Sequence, residues 1–236
     1  VKQLLRRLAN PPSTDEYTAR LLEGKLLSEA VGQESACRTA LDLGAGVRSP
    51  LSKHSDRLNL IGIDASQKVV DEARRAGNHS QFIKGDLTNL DPAQVGRETG
   101  VEKFDLVALY DVIEHLPRTE GLRVLDSIEN LTSRFILVET PNGFRAQGPE
   151  YGNPHQRHLS GWFIQDFEAR GYTVFGNNGT RYIRDYAGAP KVEFPFWNYV
   201  DFALATLLRV RTNPRHAYSL MAVKDVRGVP ARGMKQ

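Results

Sequence analysis

The chain has 236 residues, 40% of them hydrophobic and 25% charged, with a formal net charge of +3. That length suits one domain with a proper core, and so small a net charge gives no argument for a nucleic-acid partner. The single cysteine, Cys37, excludes an intramolecular disulfide framework and points to a reducing, cytoplasmic setting, and no window holds the roughly 20 apolar residues of a membrane span.

The start, Val1-Lys-Gln-Leu-Leu-Arg-Arg7, lacks the apolar core of a secretory signal, so none is expected. An N-terminal segment, 1–34, carries a helical pattern: Tyr17, Leu21, Leu22, Leu26, Leu27 and Ala30 recur at three- and four-residue steps over 14–31, with Thr14 or Asp15 as the cap. From residue 39 strands and helices alternate. Apolar strands are predicted at 39–43, 58–63, 81–84, 104–109 and 135–139, a helix between the first two, and helices at 67–75, 92–98 and 119–131. Thr140-Pro-Asn-Gly-Phe144 is a turn, and 145–159 is polar and loop-like. A helix capped by Ser160 follows at 160–170, then strands at 172–175 and 216–224, which should pair across the insertion 176–215. That insertion contains an aromatic-rich helix, 196–210. Such alternation predicts one α/β domain over 1–236, a Rossmann-like, doubly wound, seven-stranded sheet, mostly parallel with an antiparallel last strand.

The most specific stretch is Thr39-Ala-Leu-Asp-Leu-Gly-Ala-Gly-Val-Arg-Ser49, with Asp64 eighteen residues after Gly46. A glycine-rich turn after an apolar strand lets a ligand approach the backbone, and an acid ending the next strand can accept both hydroxyls of a ribose. Together with Gly85-Asp86-Leu87 and Phe104-Asp-Leu-Val-Ala-Leu-Tyr-Asp-Val-Ile-Glu-His-Leu116, these motifs resemble, in order and spacing, the class I S-adenosylmethionine-dependent methyltransferases over roughly residues 35–175. Ser49-Pro-Leu51, Asp111–Leu116, Thr140–Phe144 and Asn153–Trp162 are similar to a narrower set of bacterial and archaeal methyltransferases often encoded near polysaccharide genes, akin to the ubiquinone-pathway enzymes.

The resemblance implies S-adenosyl-L-methionine as cofactor, held by Asp42, Gly44, Ala45, Gly46, Asp64, Ala65, Asp86, Leu87 and Asp111. The methionine portion would lie on Gly44 and Gly46, the ribose on Asp64 and the adenine by Asp86. Arg48 stands where the usual pattern has a third glycine, which disfavours a dinucleotide pyrophosphate and hence a nicotinamide oxidoreductase. Arg48 is read either as a partner of the methionine carboxylate or as a solvated helix-start residue.

Methyl transfer needs alignment and exclusion of water, and an oxygen or nitrogen acceptor can also need a base. His115, just past the fourth strand, is the first candidate, with His158, Asp111 and Glu114 beside it; the alternative is a purely structural Glu114-His115. In a helical turn Asp111, Glu114 and His115 would share one face, and with His155 and His158 they would suit Mg²⁺, Mn²⁺ or Zn²⁺. A divalent metal is the less favoured reading, so no residue is assigned as a metal ligand. His54 and His79 are read as surface residues.

The expected function is therefore O-methylation of a small-molecule, lipid-linked or glycan acceptor. An RNA 2′-O-methyltransferase with a metal site and a non-catalytic S-adenosylmethionine-binding regulatory module are the alternatives. The segment 194–210 is read first as a helix packed on the sheet, then as a lid, a dimer face or a peripheral membrane contact. The sequence leaves the acceptor and the oligomeric state open.

Overall fold

Seven strands form one sheet in the order β3-β2-β1-β4-β5-β7-β6. They are β1 (Thr39–Leu43), β2 (Asn59–Asp64), β3 (Gln81–Lys84), β4 (Phe104–Tyr110), β5 (Thr132–Pro141), β6 (Thr173–Thr180) and β7 (Ala217–Asp225). The first five pair in parallel, and β7 runs antiparallel to both β5 and β6. This computed structural model describes residues 13–22, 37–149, 154–185, 188–192 and 195–227. The predicted pairing across the insertion forms, from Thr173 opposite Val223 to Thr180 opposite Ala217.

Central strands buried on both faces need apolar residues at consecutive positions, and β1, β4 and β5 supply them. Alternation divides the side chains between two cores. Leu41, Leu43, Val107, Leu109, Ile136 and Val138 meet α3 (Pro92–Thr99), α4 (Arg118–Leu131) and α5 (Ile164–Glu168) on one face. Ala40, Leu106, Ala108, Phe135 and Leu137 meet α1 (Thr14–Leu22) on the other. Beside them, α2 (Gln67–Ala76) packs Val70 and Ala73 on Phe82 and Ala45. Cys37 lies in the α1 core, where burial pushes its thiol up to about 12.

Several local expectations are corrected. No α-helix follows the glycine turn; a short 3₁₀ helix, Pro50–His54, takes its place. Pro50 holds Ser49 in an extended conformation, φ −77° and ψ 149°, so no helical turn can begin sooner. The cap of α1 is Ser13, whose hydroxyl accepts from the Glu16 N–H; Thr14 is drawn into the protein instead. The helical pattern beyond Leu22 falls on 23–31, outside the described residues.

Ser160 does not cap α5, which is only five residues long. Its hydroxyl is buried, donating to the Ile113 carbonyl and accepting from the Trp162 indole at 2.9 Å. Within the insertion, α6 (Trp197–Leu207) is shorter than 196–210 and packs on β6. Its outward face is apolar, with Phe196, Tyr199, Val200 and Leu207 exposed, whereas the acidic Asp201 faces inward beside Ala205. Phe194 lies outside the described residues. Among the described residues no helix is long and apolar enough to cross a membrane.

Candidate active site

The carboxyl ends of β1 to β4 open into one cleft, where the strand order reverses between β1 and β4. Gly44 and Gly46 line it from β1, Asp64 and Ala65 from β2, Asp86 and Leu87 from β3, and Asp111 and His115 from β4. The structure thus brings together eight of the residues singled out by sequence. Asp42 and Ala45 are not among its lining residues: Asp42 is buried in β1, and Ala45, within the glycine turn, packs on Val70, Ala73 and Phe82. Arg48 is exposed and outside the cleft lining.

The turn has a definite internal wiring. The Gly44 and Ala45 amides donate to the Ile63 carbonyl at 2.8 and 3.1 Å. Gly44 has φ +66°, and a Cβ there would sit 2.5 Å from a Val112 methyl, so only glycine fits without displacing that wall of the cleft. The Asp64 carboxylate accepts from the Gly46 N–H at 3.1 Å and the Ser66 N–H at 2.9 Å. Those bonds hold both oxygens at the mouth of the cleft, with lone pairs left to accept from a ligand. Asp86 accepts from the Thr88 amide and hydroxyl, while Leu87 is buried and gives this end of the cleft an apolar wall.

His79 is not a surface residue: its side chain is only 1% exposed, and Nε2 lies 3.2 Å from Asp42 Oδ2. The Asn78 amide donates to the Val47 carbonyl at 3.1 Å, so its Oδ1 must accept from His79 Nδ1. Burial pushes the Asp42 carboxyl up, and hydrogen bonds from His79 and Ser49 draw it back. Asp42 and His79 are therefore paired by a hydrogen bond under the turn. The signal for this was legible only as an acid within a buried strand.

On the acceptor side the predicted helical face does not form. The 3₁₀ turn covers only Ile113–His115, and Asp111 precedes it in the left-handed region, φ +51°. Asp111 opens into the cleft, while Glu114 turns into the protein, 2% exposed, and accepts from the Thr140 hydroxyl at 2.9 Å. The Glu114 carbonyl accepts the amides of Leu159 and Ser160, at 2.8 and 3.0 Å, which brings the 154–160 segment against the turn. The His115 and His158 rings consequently meet edge to face, 4.8 Å between centroids. His155 and Gln156 reach the cleft from the same segment.

Glu139 was not anticipated. It ends the apolar run of β5, is 2% exposed, and accepts from Thr14, Asn177 and Asn178 at 2.7–2.9 Å. Burial, then the neighbouring Asp111 charge, push its carboxyl up to about 8. Glu114 is raised for the same two reasons, and Asp111 by the walls that limit its hydration. An acid closing an otherwise apolar strand on the ligand side of the sheet was the available signal.

Residues 41–133 match the family model of a methyltransferase domain. The matched stretch contains the glycine turn, Asp64, Asp86, Asp111 and His115 of the cleft. Compared by sequence with curated proteins, the chain matches none. Its fold is similar to that of an S-adenosylmethionine-dependent methyltransferase from Archaeoglobus fulgidus, at 15% identity and a TM-score of 0.50, over 95% of this chain and 98% of that one. It is also similar to the plantazolicin methyltransferase BpumL, solved with a desmethyl-plantazolicin analog and SAH, at 17% identity and a TM-score of 0.53, covering 95% and 88% of the two chains. A third structure is the N-terminal domain of EvdMO1, solved in the presence of SAH and D-fucose, at 13% identity and a TM-score of 0.53, covering 95% and 96%.

Proposed function

We propose that the chain is an S-adenosylmethionine-dependent methyltransferase that binds its cofactor in the cleft and methylates a hydroxyl of a small-molecule, lipid-linked or glycan acceptor. The observation that carries the reading is the Asp64 carboxylate, oriented by two backbone amides at the end of β2 beside the glycine turn. A ribose laid there donates both hydroxyls to the acid. The methionine portion then runs over Gly44 and Gly46, the adenine lies between Asp86 and Leu87, and the sulfonium points towards Asp111 and His115.

The acceptor enters beside Asp111 and His115, with the His158 ring against His115 and Glu114 buried behind them. A hydroxyl is a poor nucleophile until its proton is removed or its oxygen is polarised, and this group stands where that is required. The solved neighbours with D-fucose or a desmethyl-plantazolicin analog beside SAH support a small-molecule acceptor.

Calorimetry with S-adenosylhomocysteine tests the cofactor half. Asp64→Ala should weaken binding by about 1.5–3 kcal/mol, the loss of charge-assisted hydrogen bonds to the ribose, without a matching loss of fold. Unchanged affinity in a variant with a normal thermal transition overturns the assignment. NAD should not be bound in the same assay.

A further inference from the structure

We propose that the groove beside the cleft is a second subsite for the acceptor, taking an anionic group, a carboxylate or a phosphate, on Arg157 while the ring that carries it stacks on Phe144. This rests on the reading above and narrows its acceptor to an acidic sugar or a sugar phosphate.

The first observation is charge. Phe144, Gln147, Arg157 and His158 line the groove with small residues between them, and no carboxylate does so among the described residues. The cofactor cleft is the opposite: Asp64, Asp86 and Asp111 line it, without a lysine or an arginine. A cationic sulfonium and an anionic acceptor are therefore drawn to different ends of adjoining sites. Arg157 is exposed, with no side-chain partner among the described residues, and its guanidinium fork matches the paired oxygens of a carboxylate or a phosphate. Arg145 adds charge behind the same wall. Its guanidinium lies 3.9 Å over the Tyr218 ring and donates to the Asp185 and Tyr218 carbonyls, and its Nε is buried with no hydrogen-bond partner among the described residues.

The second observation is that the wall is preorganised. The Gln147 side-chain amide donates to the Gln156 carbonyl at 2.9 Å, the His158 amide donates to the Gln147 carbonyl at 3.1 Å, and His158 Nδ1 donates to the Arg145 carbonyl at 2.8 Å. These bonds tie 145–147 to 156–158 and fix the base of Arg157. Phe144 is held from the other side. The Gly143 amide donates to the Trp162 carbonyl at 2.8 Å, and a Cβ on Gly161 would meet the Phe144 nitrogen at 2.5 Å. The Phe144 ring is nevertheless 58% exposed. A large apolar side chain on a fixed backbone, exposed beside a cation, suits the apolar face of a sugar ring. The third observation is position. The groove joins the cleft through His158, whose ring meets that of His115 at 4.8 Å between centroids. An acidic sugar seated on Phe144 thereby presents a neighbouring hydroxyl towards His115 and Asp111.

The test uses the full chain saturated with S-adenosylhomocysteine, with glucuronate, glucose 1-phosphate and glucose as probes followed by saturation-transfer NMR. At least one of the two anions should bind about tenfold or more tightly than glucose, and added NaCl should weaken it. Which anion is preferred tells carboxylate from phosphate. Arg157→Gln, checked for a normal thermal transition, should lower the affinity for that anion roughly 10- to 100-fold, the equivalent of a lost charge-assisted hydrogen bond, and leave S-adenosylhomocysteine binding unchanged. Phe144→Ala should weaken all three probes and remove saturation transfer to the sugar-ring protons. Arg75→Gln, the same change of charge at an exposed position of α2, should alter nothing. Equal binding of the anions and glucose, no binding of either anion, or wild-type binding by the folded Arg157→Gln variant overturns the proposal. S-adenosylhomocysteine is titrated alone first. If it binds and the anions do not, the groove proposal falls by itself; if it does not bind, the cofactor reading of the cleft falls and this one with it.

Discussion

Glu139 shows how one residue's setting changes its chemistry. Its carboxyl stays protonated up to about 8 in the folded chain, against an ordinary value of 4.5. Between those values the folded state holds a proton that the unfolded state has released. Stability should therefore fall as pH rises across that window, by at most about 1.4 kcal/mol per pH unit for this proton, and level off above it. Asp111 and Glu114 are shifted the same way and steepen the fall. Urea denaturation from pH 5 to 9 should show the slope, and Glu139→Gln should remove the share of it that Glu139 contributes. An unchanged slope in that variant would place the proton elsewhere. His79 is the counterpart that sequence reading missed: nothing in Asn78-His-Ser80 marks a histidine whose partner, Asp42, lies 37 positions away.

Among the elements, α6 inverts the usual arrangement. Tyr199, Val200 and Leu207 face outward, and beside the buried Ala205 the helix is anchored through Asp201, which accepts from the Thr180 amide at 2.9 Å and pairs with the Arg184 guanidinium. Gly179, at φ +74°, leaves the room: a Cβ there would meet the Asp201 carboxylate at 2.1 Å. The Arg184 guanidinium also lies 5.0 Å over the Trp197 ring, closing the insertion on itself. Asp201→Ala strands Arg184 and the Thr180 N–H, and should cost about 2–4 kcal/mol. Chemical denaturation measures that loss, and a change within 0.5 kcal/mol of zero, roughly the effect of a neutral surface substitution, would show that the anchor lies elsewhere. Aromatic spacing in 196–210 predicted a helix but not its orientation, because the inward contacts are made by an acid and the small Ala205 rather than by the aromatic residues.

At the scale of the whole molecule, the sheet distributes stability unevenly. β4 is flanked by β1 and β5, and its residues 106–109 are fully buried between the two cores. Its amides should exchange with deuterium only through global unfolding. The α6 amides, behind a helix held by few inward contacts, should exchange through local opening, orders of magnitude faster. Exchange followed by mass spectrometry compares the two directly, and equal protection would contradict a weakly held insertion. Binding of a cofactor in the cleft ties β1, β2, β3 and β4 together at one end, so added S-adenosylhomocysteine should raise protection in the glycine turn while leaving α6 unchanged.

What the sequence determined by itself was local and periodic. Runs such as Ala40-Leu-Asp-Leu43 and Phe104-Asp-Leu-Val-Ala-Leu109 carry their strand character in consecutive apolar residues, and Gly44, Gly46, Asp64 and Asp86 sit where strand ends must deliver them. The cleft's place at the carboxyl ends of the strands follows once helices alternate with parallel strands, whereas the strand order is set by the fold. The tertiary structure decided the pairings between distant segments. Only folding brings His158 onto His115, through two amides bonded to one Glu114 carbonyl, and only folding buries Glu114 and Glu139 while leaving Asp111 open to the cleft. These depend on which groups lose water together, a property of the packed interior that no spacing along the chain records.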